Sequence, residues 1–573
     1  MKLSLLIASI LCTSAAMANP VDFSQAVSKA KKVLKKEVIA TESLTSEARA
    51  RVGVASPAPA FYVFNAEDGN GFVIVSGDDE MPEVVAYSHT GAFNAANMHP
   101  ALVNMLDYYT EVVNDVRNGD VSVSQAQSRR IDLAPAVEPL CKAQWGQDKP
   151  YNTLCPQKSG DDCPVGCVAT ALAQIMYHFA WPEVGTGSAR YASGISGVGV
   201  ISSDFSQHRY AWDSMYATTK ENLASTEASE AVAQLSYDCG IATRMAYDPE
   251  GSGTNDDLAM KALYENFGYK ASPLHIERRD CYATQEEWND LVKSELNANR
   301  PVLYAGFSTR GGGHEFIIDG YDESDFFHVN WGWDGSSNGY YSIVTLAPSR
   351  TSYSFSNDQS MVCGIEPDPE GTDKTPCQWR LYQYEAPAVN EESAELGSSF
   401  TFNIGKFYNF SRTAHTWTYA AALYTLGGEQ LQVLSSTGSR NTQQYLSYYG
   451  PSSTLKVSAT IPEDTPDGYY TLRSVYLQHE QDSNGEDIYH EFILPDMVGG
   501  SELNNVYIQV TDGVAYFNAE IPAAIATVGA DAQVVAHDYF DLSGRKLQNV
   551  TKGIVIERQT LSNGKQIVKK VLY

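Results

Sequence analysis

Beyond its first residues the chain never strings together about 18 consecutive apolar side chains, so no segment reads as a membrane-spanning helix. Positive charge is scarce as well: 40 Lys and Arg stand against 69 Asp and Glu, for a formal net charge of -29. Nucleic acid and anionic membrane surfaces both call for a cationic footprint, so this imbalance argues against either as the main partner. Cysteine is sparse, with nine in 573 residues. Short C-x-x-C and H-x-x-H pairs, the usual spacing of zinc ligands, are missing, so neither a metal nor a cofactor is expected.

What is present begins with a leader. Lys2, the apolar stretch Leu3 to Leu11 and the small-residue exit Ala16-Met17-Ala18 read as a secretory signal peptide over residues 1–18, and export is expected. Leu11 precedes Cys12 where lipoprotein processing requires a small residue, which speaks against a lipid anchor. If Cys167 is kept as a free thiol, seven cysteines remain beyond the leader. That number is odd, so at least one more stays unpaired, and Cys155 and Cys163 are near enough in sequence for a local disulfide.

At this length several domains are expected. Residues 19–130 start with a Lys-rich amphipathic stretch around Ala26 to Val38 and continue as a strand pair, Phe61 to Phe64 and Gly71 to Val75. A helical pattern follows over Ala101 to Val116, then an exposed Ser/Gln-rich linker ending in Arg129-Arg130. Residues 131–366 mix helices and strands. Thr284 and Glu287 form a capping box before a helical run, and Val302 to Phe307, Glu315 to Tyr321 and Phe326 to Trp331 read as antiparallel strands. Residues 375–515 are rich in short aromatic and Thr/Ser strands and suggest an immunoglobulin-like β-sandwich. Residues 530–573 form a basic, β-rich tail.

One constellation carries chemistry. Val168, Leu172, Ile175, Met176 and Phe179 recur at helical spacing, which puts Cys167 in the first turn of a half-buried helix. The unpaired N–H groups and dipole of a helix start lower a cysteine pKa, and Gly166 leaves room for a substrate backbone. Such a thiol needs an imidazole partner. His178 lies along the same helix, roughly 16 Å away at 1.5 Å per residue, which excludes it. His314 follows Gly311-Gly312-Gly313 and precedes the apolar Phe316-Ile317-Ile318, so it reads as an accessible base beside a buried strand.

The neighbour that orients His314 turns on strand parity. With a turn centred between Glu323 and Ser324, His314 faces Trp333 and lies diagonal to Trp331. A one-residue slip brings Asn330 onto that face instead.

Three segments together, Gly166-Cys-Val-Ala-Thr-Ala-Leu-Ala-Gln-Ile-Met176, Gly313-His-Glu-Phe-Ile-Ile-Asp-Gly320 and His328-Val-Asn-Trp-Gly-Trp333, resemble the streptopain family of secreted cysteine proteases over roughly residues 19 to 366. The resemblance implies an α+β chain with a papain-like catalytic domain over residues 131–366. Gly71 to Gly77 and Tyr87 to Gly91 resemble the family's inhibitory pro-domain, which implies an α+β pro-domain over residues 19–130 and a zymogen. It further implies Gln147, within Trp145 to Asn152, as oxyanion-hole donor, and Asn330 as orienter of His314 with Trp331 as its shield. Cys239 to Tyr247 with Gly251 to Gly253 resembles the pocket-forming segment, which implies an apolar residue preferred near the cut. The tail resembles type IX secretion sorting modules.

The expected activity is hydrolysis of protein or peptide substrates outside the cell through an acyl-enzyme on Cys167. A transglutaminase-like acyl transfer and a catalytically silent adhesin are the competing readings. Amine incorporation without hydrolysis would mark the first, and absence of both cleavage and Cys167 labelling the second.

Overall fold

A computed structural model describes residues 19–41, 58–119, 135–217, 226–308, 312–342, 359–373, 377–411, 414–438, 441–443, 455–482 and 484–521, together with four strands between 534 and 572. The expected signal peptide and the Arg129-Arg130 linker lie outside the described residues. The chain divides into two compact units, Met1–Arg380 and Leu381–Tyr573.

In the first unit the Lys-rich stretch folds as α1, Phe23–Leu34. It starts before the expected Ala26 because Asp22 and Gln25 cap each other's backbone N–H groups in a capping box. Strands β1 (Val38–Ala40), β2 (Phe61–Ala66), β3 (Phe72–Ser76) and β4 (Val84–Ser88) follow, then α2 (Pro100–Asn118). Past the linker come β5 (Pro135–Val137), α3 (Cys167–Phe179), α4 (Thr226–Ala242), α5 (Asp256–Asn266), β6 (His275–Arg278) and α6 (Gln285–Asn297). The Thr284–Glu287 capping box starts α6 as expected. Strands β7 (Val302–Ser308), β8 (Gly312–Asp322), β9 (Phe326–Asn330), β10 (Gly339–Ser342) and β11 (Ser360–Cys363) complete the main sheet of the unit.

All these strands share one antiparallel sheet, in the order β1-β2-β3-β4-β10-β9-β8-β7-β11-β6, with β5 attached to β8. The strand pair near the N-terminus is therefore continuous with the later sheet, joined where Tyr87 faces Tyr340 and Ala86 faces Tyr341. Sequence periodicity reports the faces of a strand but not its neighbours, so this junction was not legible beforehand.

The two faces of the sheet around β8 differ. Phe316 and Ile318 lie in one core with Val302, Tyr304, Trp331, Trp288 and Val292 of α6, and Leu102, Met105, Tyr109 and Val113 of α2. Ile317 is paired with Asn330, and Asn330 reaches Gln174 of α3 across the opposite face. Alternation along β8 thus puts even-numbered residues toward α2 and α6, and odd-numbered ones toward α3.

In the second unit, Tyr382 to Phe517 build two sheets of five and seven strands. Their facing aromatic pairs include Phe400–Phe517 at 4.7 Å and Phe407–Tyr419 at 4.8 Å. Val534–Phe540, Lys546–Leu547, Ile554–Leu561 and Gln566–Leu572 form a separate antiparallel sheet of four strands.

Candidate active site

No side chain caps the start of α3. Gly166 sits at φ 92, and a Cβ there would stand 2.7 Å from the Met245 sulfur, so this position requires glycine. The Cys167 and Val168 N–H groups favour the thiolate, and so does the N–H of Glu315, which approaches from β8. Burial nevertheless prevails and pushes the thiol up to about 11. The expectation of a depressed pKa fails for this state of the molecule, because losing water costs the thiolate more than three N–H dipoles return.

His314 was expected as an accessible residue ahead of the strand. It lies inside β8, paired with Gly306 of β7, and burial lowers its pKa. Its ring stands 5.2 Å from that of His99, edge to face. His99 in turn stacks on Trp331 at 5.7 Å and meets Trp333 at 5.1 Å. It is 1 % exposed, and burial followed by the neighbouring His314 drives its pKa down to about 3. The Nε2 atom of His314 is buried with no hydrogen-bond partner among the described residues.

Cys167 and His314 are therefore separated by the sheet: the thiol meets odd-numbered Glu315, and the imidazole sits on the even face with Phe316 and Trp331. Register explains the placement. The hairpin pairs Tyr321 with Phe327 and Gly320 with His328, then shifts between Ile318 and Gly320, so that Ile318 faces Val329 and Ile317 faces Asn330. The bulge compensates a turn centred on Ser324 and restores, near the site, the register that puts Trp331 and Trp333 on the His314 face.

Asn330 consequently lies on the α3 side and does not hold His314 here. Its amide donates to the Ala143 carbonyl at 2.7 Å and to Gln174 Oε1 at 3.2 Å, while its oxygen accepts from Gly332 N–H. The Trp331 indole N–H donates to the Ser337 carbonyl, and its ring packs on His99 and Phe316. The Gln147 carbonyl accepts from Val165 N–H at 2.9 Å, two residues ahead of Cys167, which ties its loop to the start of α3. No described residue bonds its side-chain amide. His328, expected to be structural, pairs with buried Asp319 at 2.6 Å, and Asp319 also accepts from Cys141 N–H.

Two contacts were not visible in sequence. Asn97 accepts from the Trp333 indole at 2.9 Å, and Tyr87 donates to the buried carboxyl of Asp322 at 2.6 Å. With His99 they tie residues before the linker to the catalytic sheet. Only the pro-domain resemblance hinted at them. Cys155 and Cys163, near enough in sequence for a local disulfide, are both free thiols. Among the described residues no cluster of His, Cys, Asp and Glu could hold a metal ion, and no helix is long and apolar enough to cross a membrane.

A cysteine at a helix start and a histidine on the strand packed against that helix are components of a cysteine-type endopeptidase. Residues 145–341 match the Peptidase C10 family and residues 18–113 the Spi protease inhibitor family. Streptopain of Streptococcus pyogenes is 32% identical over 326 residues, covering 53% of this chain and 80% of its own length. The chain belongs to the peptidase C10 family. Thiol protease/hemagglutinin PrtT of Porphyromonas gingivalis is 33% identical over 379 residues, which is 62% of this chain but only 43% of that protein. Among solved structures, a prointerpain A fragment of Prevotella intermedia is 33% identical with a TM-score of 0.47, covering 54% of this chain and 96% of that one.

Proposed function

We propose that the chain is a latent, exported cysteine endopeptidase in which the segment before the linker keeps His314 from Cys167. The observation that carries this reading is the placement of thiol and imidazole on opposite faces of one sheet, with His99 packed against the imidazole. Release of residues 19–130 removes His99 and frees the even face. A turn of β8 at Gly313 and His314 then brings the imidazole to the α3 side, where Asn330 already lies.

In the assembled site His314 takes the Cys167 proton, giving a thiolate and imidazolium pair. The thiolate attacks a peptide carbonyl, the C–N bond breaks, and His314 passes its proton to the leaving amine. Water, deprotonated by His314, then hydrolyses the thioester and frees the thiol. Gln147 and the Cys167 N–H donate to the oxyanion. Asn330 accepts from the imidazole and fixes its tautomer, while Trp331 covers that bond. The leader and the tail at 530–573 fit export with a sorting module, and the substrates are extracellular proteins or peptides.

Purified Cys167→Ala should remain full length, while wild-type protein shortens, cleaves casein and is labelled on Cys167 by an epoxysuccinyl inhibitor. Maturation of the purified mutant without added protease would overturn the self-processing precursor.

A further inference from the structure

His314 cannot face Cys167 while Glu315 does, because neighbouring residues of a strand point to opposite faces. Glu315 is 4% exposed, and its Oε1 is buried with no hydrogen-bond partner among the described residues. A carboxyl in such a place is costly to ionise. The strands beside it bring Ala305 of β7 directly opposite and Ser360 of β11 beyond that.

Two ionisable groups on helices are coupled to this carboxyl, one that it acts on and one that acts on it. At the start of α3 stands the Cys167 thiol, and in the first turn of α5 stands Asp256, whose carboxylate accepts from Ser360 Oγ at 2.6 Å. Asp256 is a like charge, and together with burial it holds the Glu315 carboxyl well above the usual range. Cys167 is affected in turn, since the Glu315 charge opposes its ionisation.

We propose that Glu315 is a positioning residue that keeps the imidazole's place beside Cys167 in the precursor, and that its ejection and ionisation when β8 turns help drive maturation. This rests on the peptidase reading above and deepens it. The turn that carries His314 to the α3 side carries Glu315 to the opposite face, which His99 and the rest of the precursor segment have left. There the carboxyl meets water and gives up its proton. Gly312 and Gly313, at the start of β8, give the strand the backbone freedom such a turn requires.

Linkage gives the sign. The precursor holds the Glu315 proton to higher pH than the turned state does, so each step upward in pH beyond about 4.3 favours the turned state. Acid retains the latent form, and neutral pH releases it. The group then acts as a check that couples maturation to the pH outside the cell.

The test compares full-length wild-type protein with Glu315→Gln, which keeps the shape and removes the charge. Maturation rates from pH 4 to 8 are read on gels after adding a trace of mature enzyme. The ratio of wild-type to Glu315→Gln rates should stay near one at pH 4 and rise at least about tenfold by pH 7. A second measurement does not depend on processing. In a Cys167→Ala background, the precursor that retains Glu315 should lose melting temperature relative to the precursor carrying Glu315→Gln as pH rises from 4 to 8, because the unfolded chain gives up the proton first. Active processed enzyme, a pH-independent rate ratio and parallel melting curves would together overturn the role of Glu315 alone. Processed protein that cleaves no peptide would overturn the peptidase reading and this inference with it.

Discussion

The rings of His99 and His314 meet edge to face at 5.2 Å, a contact between residues 215 apart that no local pattern could announce. His99 sits immediately ahead of Pro100, where α2 begins, so the helix start positions its ring. Burial lowers the pKa of both imidazoles, and that of His99 falls to about 3.

Replacing His99 by Ala removes a buried ring that touches His314, Trp331 and Trp333. The loss should cost the latent state about 2–4 kcal/mol, in the range of large-to-small changes in a packed core. Faster maturation of His99→Ala in a gel time course, by tenfold or more on the scale of about 1.4 kcal/mol per decade, is the expected result.

Tyr87 and Asp322 give a second handle on the same interface. Burial pushes the Asp322 carboxyl up, and the Tyr87 hydroxyl offsets part of that shift by donating to it. Tyr87→Phe leaves the buried carboxyl with one donor fewer, at a cost of about 1–3 kcal/mol. Urea denaturation of the Cys167→Ala precursor should show a lower midpoint for the Tyr87→Phe variant.

The Cys167 thiol, pushed up to about 11 in the latent form, is almost wholly protonated at neutral pH. Only the thiolate is alkylated, and its fraction grows about tenfold per pH unit below the pKa. Iodoacetamide labelling of the intact precursor should therefore climb steadily from about pH 7 to 10. The processed enzyme, with His314 as ion-pair partner, should instead label rapidly at neutral pH with little further gain.

Gln147 is fastened through its carbonyl to Val165, two residues ahead of Cys167, and the proposed mechanism uses its side-chain amide as an oxyanion donor. Gln147→Ala should lower kcat of the processed enzyme by about 10²- to 10³-fold, with a smaller change in KM. Steady-state kinetics on a peptide substrate will separate the two.

Much of the local structure was written in short-range patterns. The Thr284–Glu287 capping box started its helix, the apolar spacing after Cys167 gave a buried helix with the cysteine at its first residue, and the strands around Phe316 and Val329 formed as antiparallel partners. Side-chain chemistry and periodicities of 2 and 3.6 residues act over a turn or a strand, and a single sequence displays them. The placement of Cys167 at a helix start was legible for the same reason.

Read alone, the chain specifies a set of parts: a cysteine at a helix start, a histidine on a strand, and a glutamine in the loop that leads to the helix. How those parts stand relative to one another came from the folded molecule. A bulge between Ile318 and Gly320 set which face His314 occupies, and pairing of β4 with β10 brought His99 and Tyr87 against the site. Strand parity flips with a one-residue shift, and burial reverses a pKa that a helix start would lower. Both depend on neighbours distant in sequence, so only the folded chain reveals that Cys167 and His314 lie on opposite faces of one sheet.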